Sequence, residues 1–226
     1  MKDMINRLHR SRFFGRIFHT LDYCLQEELK GCQTVLDLGC GPSSPLQHCK
    51  NIKYSVGVEA FKPYLELSKK RKIHNKYLNK KVEELDFPEK SFDAVIMIEV
   101  LEHLPEKTGL LMLKKAEKWT KRKVIVSSPN GFIPQKAVDN NPFQKHLSGW
   151  DYKKMKKQGY RVRGLAGLRF LRREVQNETM GDDLLTSIRF KPKIFWFIVA
   201  TLSQTFTYYF PSMAFELFSV INLEKK

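Results

Sequence analysis

Acidic residues are scarce in this chain. Its 226 residues carry 24 Asp and Glu against 40 Lys and Arg, a formal net charge of +16. A surface so short of carboxylates disfavours cationic partners and suits anionic ones: nucleic acid, acidic lipid headgroups or phosphorylated substrates. Cysteine is sparse too. Cys24, Cys32, Cys40 and Cys49 fall in the first quarter without a C-x-x-C pair. That argues against a disulfide framework or a cysteine zinc site, and for reduced thiols in a cytoplasmic protein. The opening stretch, "MKDMINRLHRSRFFGRIF", lacks the continuous apolar region of a secretory signal, so none is expected. Internal repeats and low-complexity segments are absent. Charge is missing altogether from Ile194 to Phe215. That run is long enough to span a bilayer, but Ser203, Gln204, Thr205 and Thr207 interrupt it and Pro211 breaks it. A buried or interfacial helix ending near Phe210 is the expectation, with Trp196 and Phe197 the residues to meet lipid if it does so.

What is present fits one domain over 1–226, since 42% hydrophobic content suffices for one full core. Residues 1–30 place Ile5, Leu8, Phe14, Ile17, Phe18 and Leu21 at helical spacing among arginines, which predicts basic amphipathic helices. From 31 to 165 short β-rich apolar runs alternate with helical stretches. "QTVLDLG", "KYSVGVEA", "SFDAVIMI", "RKVIVSSP" and "YRVRGLAG" are the strands. Helices are expected from Pro63 to about Lys76, from Glu99 to Trp119, and over "GWDYKKMKKQ", with a loop over 129–148. This pattern implies a parallel sheet covered by helices on both faces. Residues 166–210 form a helical cap or membrane-facing insertion. The chain ends on a strand, "MAFELFSVIN", within 211–226.

The first strand ends in "VLDLGCGPSS". Gly39 and Gly41 allow a tight turn and a close approach of backbone to ligand. Asp37 is placed to orient that loop or to accept from a ligand amine. Twenty residues beyond Gly39, Glu59 closes the next strand, where a carboxylate can accept from both hydroxyls of a ribose.

These blocks, with "EELDFPEKSFDAVIMIEVLEHL" and "KVIVSSPN" in order, resemble class I S-adenosylmethionine-dependent methyltransferases of the type 11 kind over roughly residues 30–165. The resemblance implies a Rossmann-like α/β fold, a seven-stranded sheet of order 3-2-1-4-5-7-6 whose last strand is antiparallel. It implies S-adenosylmethionine as cofactor, with Asp37, Gly39, Cys40 and Gly41 around its methionine part and Glu59 and Ala60 at the ribose. Val82 and Glu83 fall at the adenine, and Glu99 at the reactive end. Two positions depart from the family pattern: Ser43 replaces a third glycine, and Lys81 stands where an acidic residue faces the adenine amine.

"IEVLEH" is the second notable block. On a continuous helix, Glu99, Glu102 and His103 share one face. With His146 from the loop after the next strand, the cluster resembles the metal site of small-RNA 3′-terminal 2′-O-methyltransferases and of metal-dependent O-methyltransferases of ubiquinone biosynthesis. Mg²⁺, Mn²⁺, Fe²⁺ or Zn²⁺ suits such a donor set. Without metal, His103 or His146 is a candidate general base with Glu102 beside it, or the group caps a helix. Methyl transfer to a hydroxyl follows, on a small lipid-linked, isoprenoid or glycan-type acceptor at the inner membrane face. RNA is the alternative substrate, and a non-catalytic cofactor-fold binding protein the second alternative. Oligomeric state is not legible in the sequence.

Overall fold

A computed structural model describes Arg7, residues 11–173 and residues 185–224. Its frame is a seven-stranded sheet of order β3-β2-β1-β4-β5-β7-β6. The strands are β1 (Thr34–Leu38), β2 (Tyr54–Val58), β3 (Lys76–Leu78), β4 (Phe92–Ile98), β5 (Thr120–Pro129), β6 (Arg161–Leu168) and β7 (Ala214–Asn222). The first five run parallel, and β7 pairs antiparallel with both β5 and β6. Order and direction are those expected.

Six helices flank the sheet in the described residues: α1 (Arg12–Phe18), α2 (Leu21–Glu28), α3 (Lys62–Lys70), α4 (Glu106–Trp119), α5 (Tyr152–Lys157) and α6 (Lys193–Tyr209). Because both faces are covered, the strands read as unbroken apolar runs whose alternate residues enter different cores. Leu36, Val95, Met97, Val124 and Val126 pack with Trp119 of α4 and Met155 of α5. Val35, Ala94, Ile96, Ile125 and Phe218 pack against Cys24 and Leu25 of α2. Gly164 and Gly167 of β6 let α6 lie directly on that strand. A Cβ at either would overlap a carbonyl of α6, that of Thr207 or that of Ala200.

Several expectations need correction. The helix predicted from Glu99 to Trp119 is interrupted. Glu99 has φ +55°, Leu101–His103 is one 3-10 turn, and Pro105 starts α4 afresh. Proline fixes its own φ and disfavours helix in the residue before it, so the break falls there. The helix expected to reach Lys76 stops at Lys70, with Lys72 left-handed at φ +54°. That leaves chain for β3, three residues at the sheet edge and too short to show an alternating pattern. Of the N-terminal helices, residues 1–6 and 8–10 lie outside the described residues, as do residues 174–184 of the insertion. Among the described residues no helix is long and apolar enough to cross a membrane.

Candidate active site

The glycine loop follows β1 directly. Gly39 and Gly41 both have positive φ, +68° and +54°. A Cβ on Gly39 would strike Val100, so this glycine lets the loop after β1 sit against the loop after β4. At Gly41 a Cβ would meet nothing within 4 Å, so open space adjoins the backbone there. Asp37 is buried beneath the loop and accepts from Ser44 Oγ at 2.5 Å, with His74 Nε2 3.3 Å away. Burial pushes Asp37 up to about 7 and His74 down to about 4. Asp37 is thus tied to the loop through Ser44. Cys40 turns its thiol inward near Ser68, and burial raises its pKa.

Glu59 joins the loops. Its Oε2 accepts from Gly41 N at 3.1 Å and its Oε1 from Phe61 N at 2.7 Å. Burial raises its pKa while these backbone bonds oppose the shift. Each carboxylate oxygen keeps a second lone pair for a ribose hydroxyl. Asn79 donates to the carbonyls of Glu59 and Ala60 at 2.8 and 2.9 Å, fixing the chain where the ribose would lie. Val82 is buried at the start of the 3-10 turn Val82–Glu84, with Glu83 exposed beside it. Positive-φ glycines, an open space at Gly41 and a pinned carboxylate fit an adenosyl group carrying an amino acid.

Glu102, His103 and His146 form the second part. Their potential ligand atoms all lie within 4.8 Å of one another. The loop after β5 makes this possible. Leu147 N and Ser148 N both donate to the Glu102 carbonyl, at 2.7 and 3.1 Å, and Ser148 Oγ donates to the Leu101 carbonyl at 3.1 Å. The same loop reaches the cofactor side, where Tyr64 of α3 donates to Asp139 at 2.6 Å. The His103 and His146 rings stand 4.9 Å apart. Each Nδ1 faces a backbone carbonyl, Lys145 O at 3.3 Å for His103 and Ile133 O at 2.6 Å for His146. A carbonyl only accepts, so the proton sits on Nδ1 and Nε2 keeps its lone pair. Burial, then the neighbouring His146, holds His103 down to about 4, and burial lowers His146.

Glu99 lies apart from this cluster. It contacts Ser127 Oγ of β5, which is also 2.7 Å from Glu216 of β7. Three of the four candidate ligands thus converge and the fourth does not, because the break after β4 removes the shared helical face. Ser44, His74, Asn79 and Glu216 were missed in the sequence. Glu216 alone carried a signal, as an acidic residue inside an apolar strand.

The strand order is that of the Rossmann-like fold of class I methyltransferases. Residues 36–126 match the family model described as a methyltransferase domain. No curated protein sequence matches the chain. Among solved structures it is similar to the methyltransferase domain of bacterial CtHen1 (CtHen1-C), with 21% identity and TM-score 0.54 over 94% of this chain and 99% of that one. A SAM-dependent methyltransferase from Archaeoglobus fulgidus shares 16% identity and TM-score 0.53 over 93% and 98%. Against the PH0226 protein of Pyrococcus horikoshii the match covers 52% of this chain and 58% of that one, with 23% identity and TM-score 0.45.

Proposed function

We propose that the protein transfers a methyl group from S-adenosylmethionine to a hydroxyl oxygen of a lipid-linked, isoprenoid or glycan-type acceptor, using a divalent cation held by Glu102, His103 and His146. The observation that carries the cation is the pair of imidazoles. Both give their Nδ1 proton to a backbone carbonyl, the support that usually orients metal-bound histidines. Both are kept neutral by burial, as ligands must be. An imidazole depressed to about 4 is a weak general base at neutral pH, which counts against the metal-free alternative. The capping alternative fails on position, since α4 begins at Glu106 behind Pro105 and has no side-chain cap.

S-adenosylmethionine, when held by Gly39, Gly41, Glu59 and Val82, supplies an electrophilic methyl on its sulfonium. A cation at the cluster supplies a Lewis acid that lowers the pKa of an acceptor hydroxyl. The chain's own part is positional. Glu59 and Asn79 fix the loop at the ribose, and the β5–α5 loop brings His146 to Glu102 while covering the cleft toward α3. Two imidazoles and one carboxylate suit Mn²⁺, Fe²⁺ or Zn²⁺ better than Mg²⁺ and leave positions open for substrate. The test measures S-adenosylhomocysteine release with a polar lipid extract and with short RNA as acceptors, before and after chelation. The reading expects turnover on the lipid fraction, lost on chelation and restored by one of the three ions. Turnover on RNA alone transfers the assignment to RNA 2′-O-methylation, which the +16 charge would serve. Chelator-resistant turnover removes the cation.

A further inference from the structure

Helix α6 is built inside out. Its buried face carries Ala200, Thr201, Gln204 and Thr207. Ile194, Phe195, Ile198, Leu202, Phe206 and Tyr209 are each between 45% and 60% exposed. At 3.6 residues per turn these six fall on one side, opposite the buried four. A surface helix of a globular domain normally has the reverse arrangement. The inward polar groups are satisfied: Gln204 donates to the His19 carbonyl at 2.8 Å, and Thr201 to the Phe197 carbonyl at 2.8 Å. The inversion is therefore a settled packing. The sequence had pointed to Trp196 and Phe197 as the lipid-facing pair. Both instead pack against Leu171, Ile188 and Ala200.

A second helix beside α6 also exposes apolar side chains. Helix α1 packs against α6 and adds Phe13 and Ile17, 77% and 43% exposed. The charged residues within α1, α6 and the described stretch leading into α6 are all basic, although Glu27 of α2 stands 4.0 Å from Arg12. Leu185 to Met213 contains no Asp or Glu, only Arg189, Lys191 and Lys193, while α1 exposes Arg12 and Arg16. The face also adjoins the active site. Asn130, just after β5, donates to the carbonyls of Pro211, Ser212 and Ala214 at 3.2, 3.2 and 2.9 Å. The exposed Phe210 and Met213 therefore sit at the sheet end that carries Gly39 and Glu99.

We infer that α6 and α1 form a docking face for an anionic lipid bilayer, with the helix lying in the headgroup region and the cleft mouth beside the membrane. Aliphatic and aromatic side chains enter the acyl boundary while the arginines and lysines meet acidic headgroups. At 17 residues, or about 25 Å of helix, α6 is too short to cross and suited to lie flat. The docking stands without the methyl-transfer reading. Only the step from membrane to lipid-linked acceptor rests on it.

The test is flotation of the full-length protein, without cofactor or metal, on phosphatidylcholine vesicles with and without 30% phosphatidylglycerol. Binding to the anionic vesicles alone is expected. It should fall more than tenfold in I198S/L202S/F206S and in F13S/I17S, both keeping the wild-type melting temperature because the altered residues are exposed. Wild-type protein that stays with the unbound fraction overturns the docking, as does undiminished binding by both folded variants. Concentration-dependent dimerisation, abolished by the triple substitution and without flotation, assigns the face to a second copy and overturns it too. Failed flotation with intact methyl transfer to a detergent-dispersed acceptor would sink the docking alone; flotation without transfer to any acceptor would sink only the chemistry.

Discussion

The two ends of the candidate site are built by different means. On the cofactor side, at the ends of β1 and β2, the work is done by backbone. Gly39 and Gly41 turn, Gly41 N and Phe61 N fix Glu59, and the groups stand at the ends of consecutive strands of one parallel unit. On the acceptor side, at the Glu102–His103–His146 cluster, only the first two residues are local to each other. His146 reaches Glu102 through a loop anchored on the carbonyls of Leu101 and Glu102, and α6 is placed by contacts with β6 and α1. Local, backbone-coded sites survive as sequence motifs, whereas assembled ones depend on folds that motifs do not specify.

The largest effect should come from the packing that sets the acceptor side. Gly164→Val places side-chain atoms into the Thr207 carbonyl and Ala214 and should cost about 3 kcal/mol or more, read as a lower denaturation midpoint. Leu202→Ser on the exposed face of the same helix should stay within about 0.5 kcal/mol of wild type. Equal losses in the two variants would mean that α6 is not inverted.

A second pair separates the two sides. Glu59→Ala removes the acceptor of two backbone N–H groups and, in this reading, of the ribose. Cofactor affinity should fall ten- to a hundredfold, about 1–3 kcal/mol, with cation binding unchanged. His146→Ala should do the reverse. Both ligands weakening together in both variants would show that the two sides are one cooperative unit.

The legible part of the fold follows this division. Most strands and the glycine loop were readable because buried strands and special φ values restrict residue type, whereas the strand order came only from the family resemblance. The ends of α3 and the break before α4 were not, since Lys-rich and Glu-rich stretches look helical until a left-handed residue or Pro105 intervenes. The outward face of α6 was hidden for another reason. Periodicity does set its faces apart, but it marks the side of Thr201, Gln204 and Thr207 as the outward one, the reverse of the packing. Glu99 was assigned to the metal on a helical spacing that the chain does not adopt.

A smaller effect is pH dependence, again different on the two sides. His103 and His74 are held at about 4 against an ordinary 6.5. As pH falls from 6.5 toward 4 the unfolded chain takes up protons that the fold refuses, so each imidazole withdraws stability over that window. Asp37, raised from 3.8 to about 7, acts in the opposite sense between those values. On the cofactor side His74 and Asp37 therefore offset each other, and acid sensitivity should belong to His103 and His146. Melting temperatures between pH 6.5 and 4 should fall less in His103→Gln than in wild type. An unchanged slope would show His103 to be protonated in the fold.

The most direct measurement is calorimetric titration of S-adenosylmethionine into wild-type protein and into Gly41→Ala. The added methyl points into open space, so the fold should lose only the left-handed strain of about 1–2 kcal/mol. Saturable one-site binding in the wild type, lost in a folded Gly41→Ala, is the predicted result. No binding by wild type, or unchanged affinity in Gly41→Ala, would contradict a cofactor site at this loop.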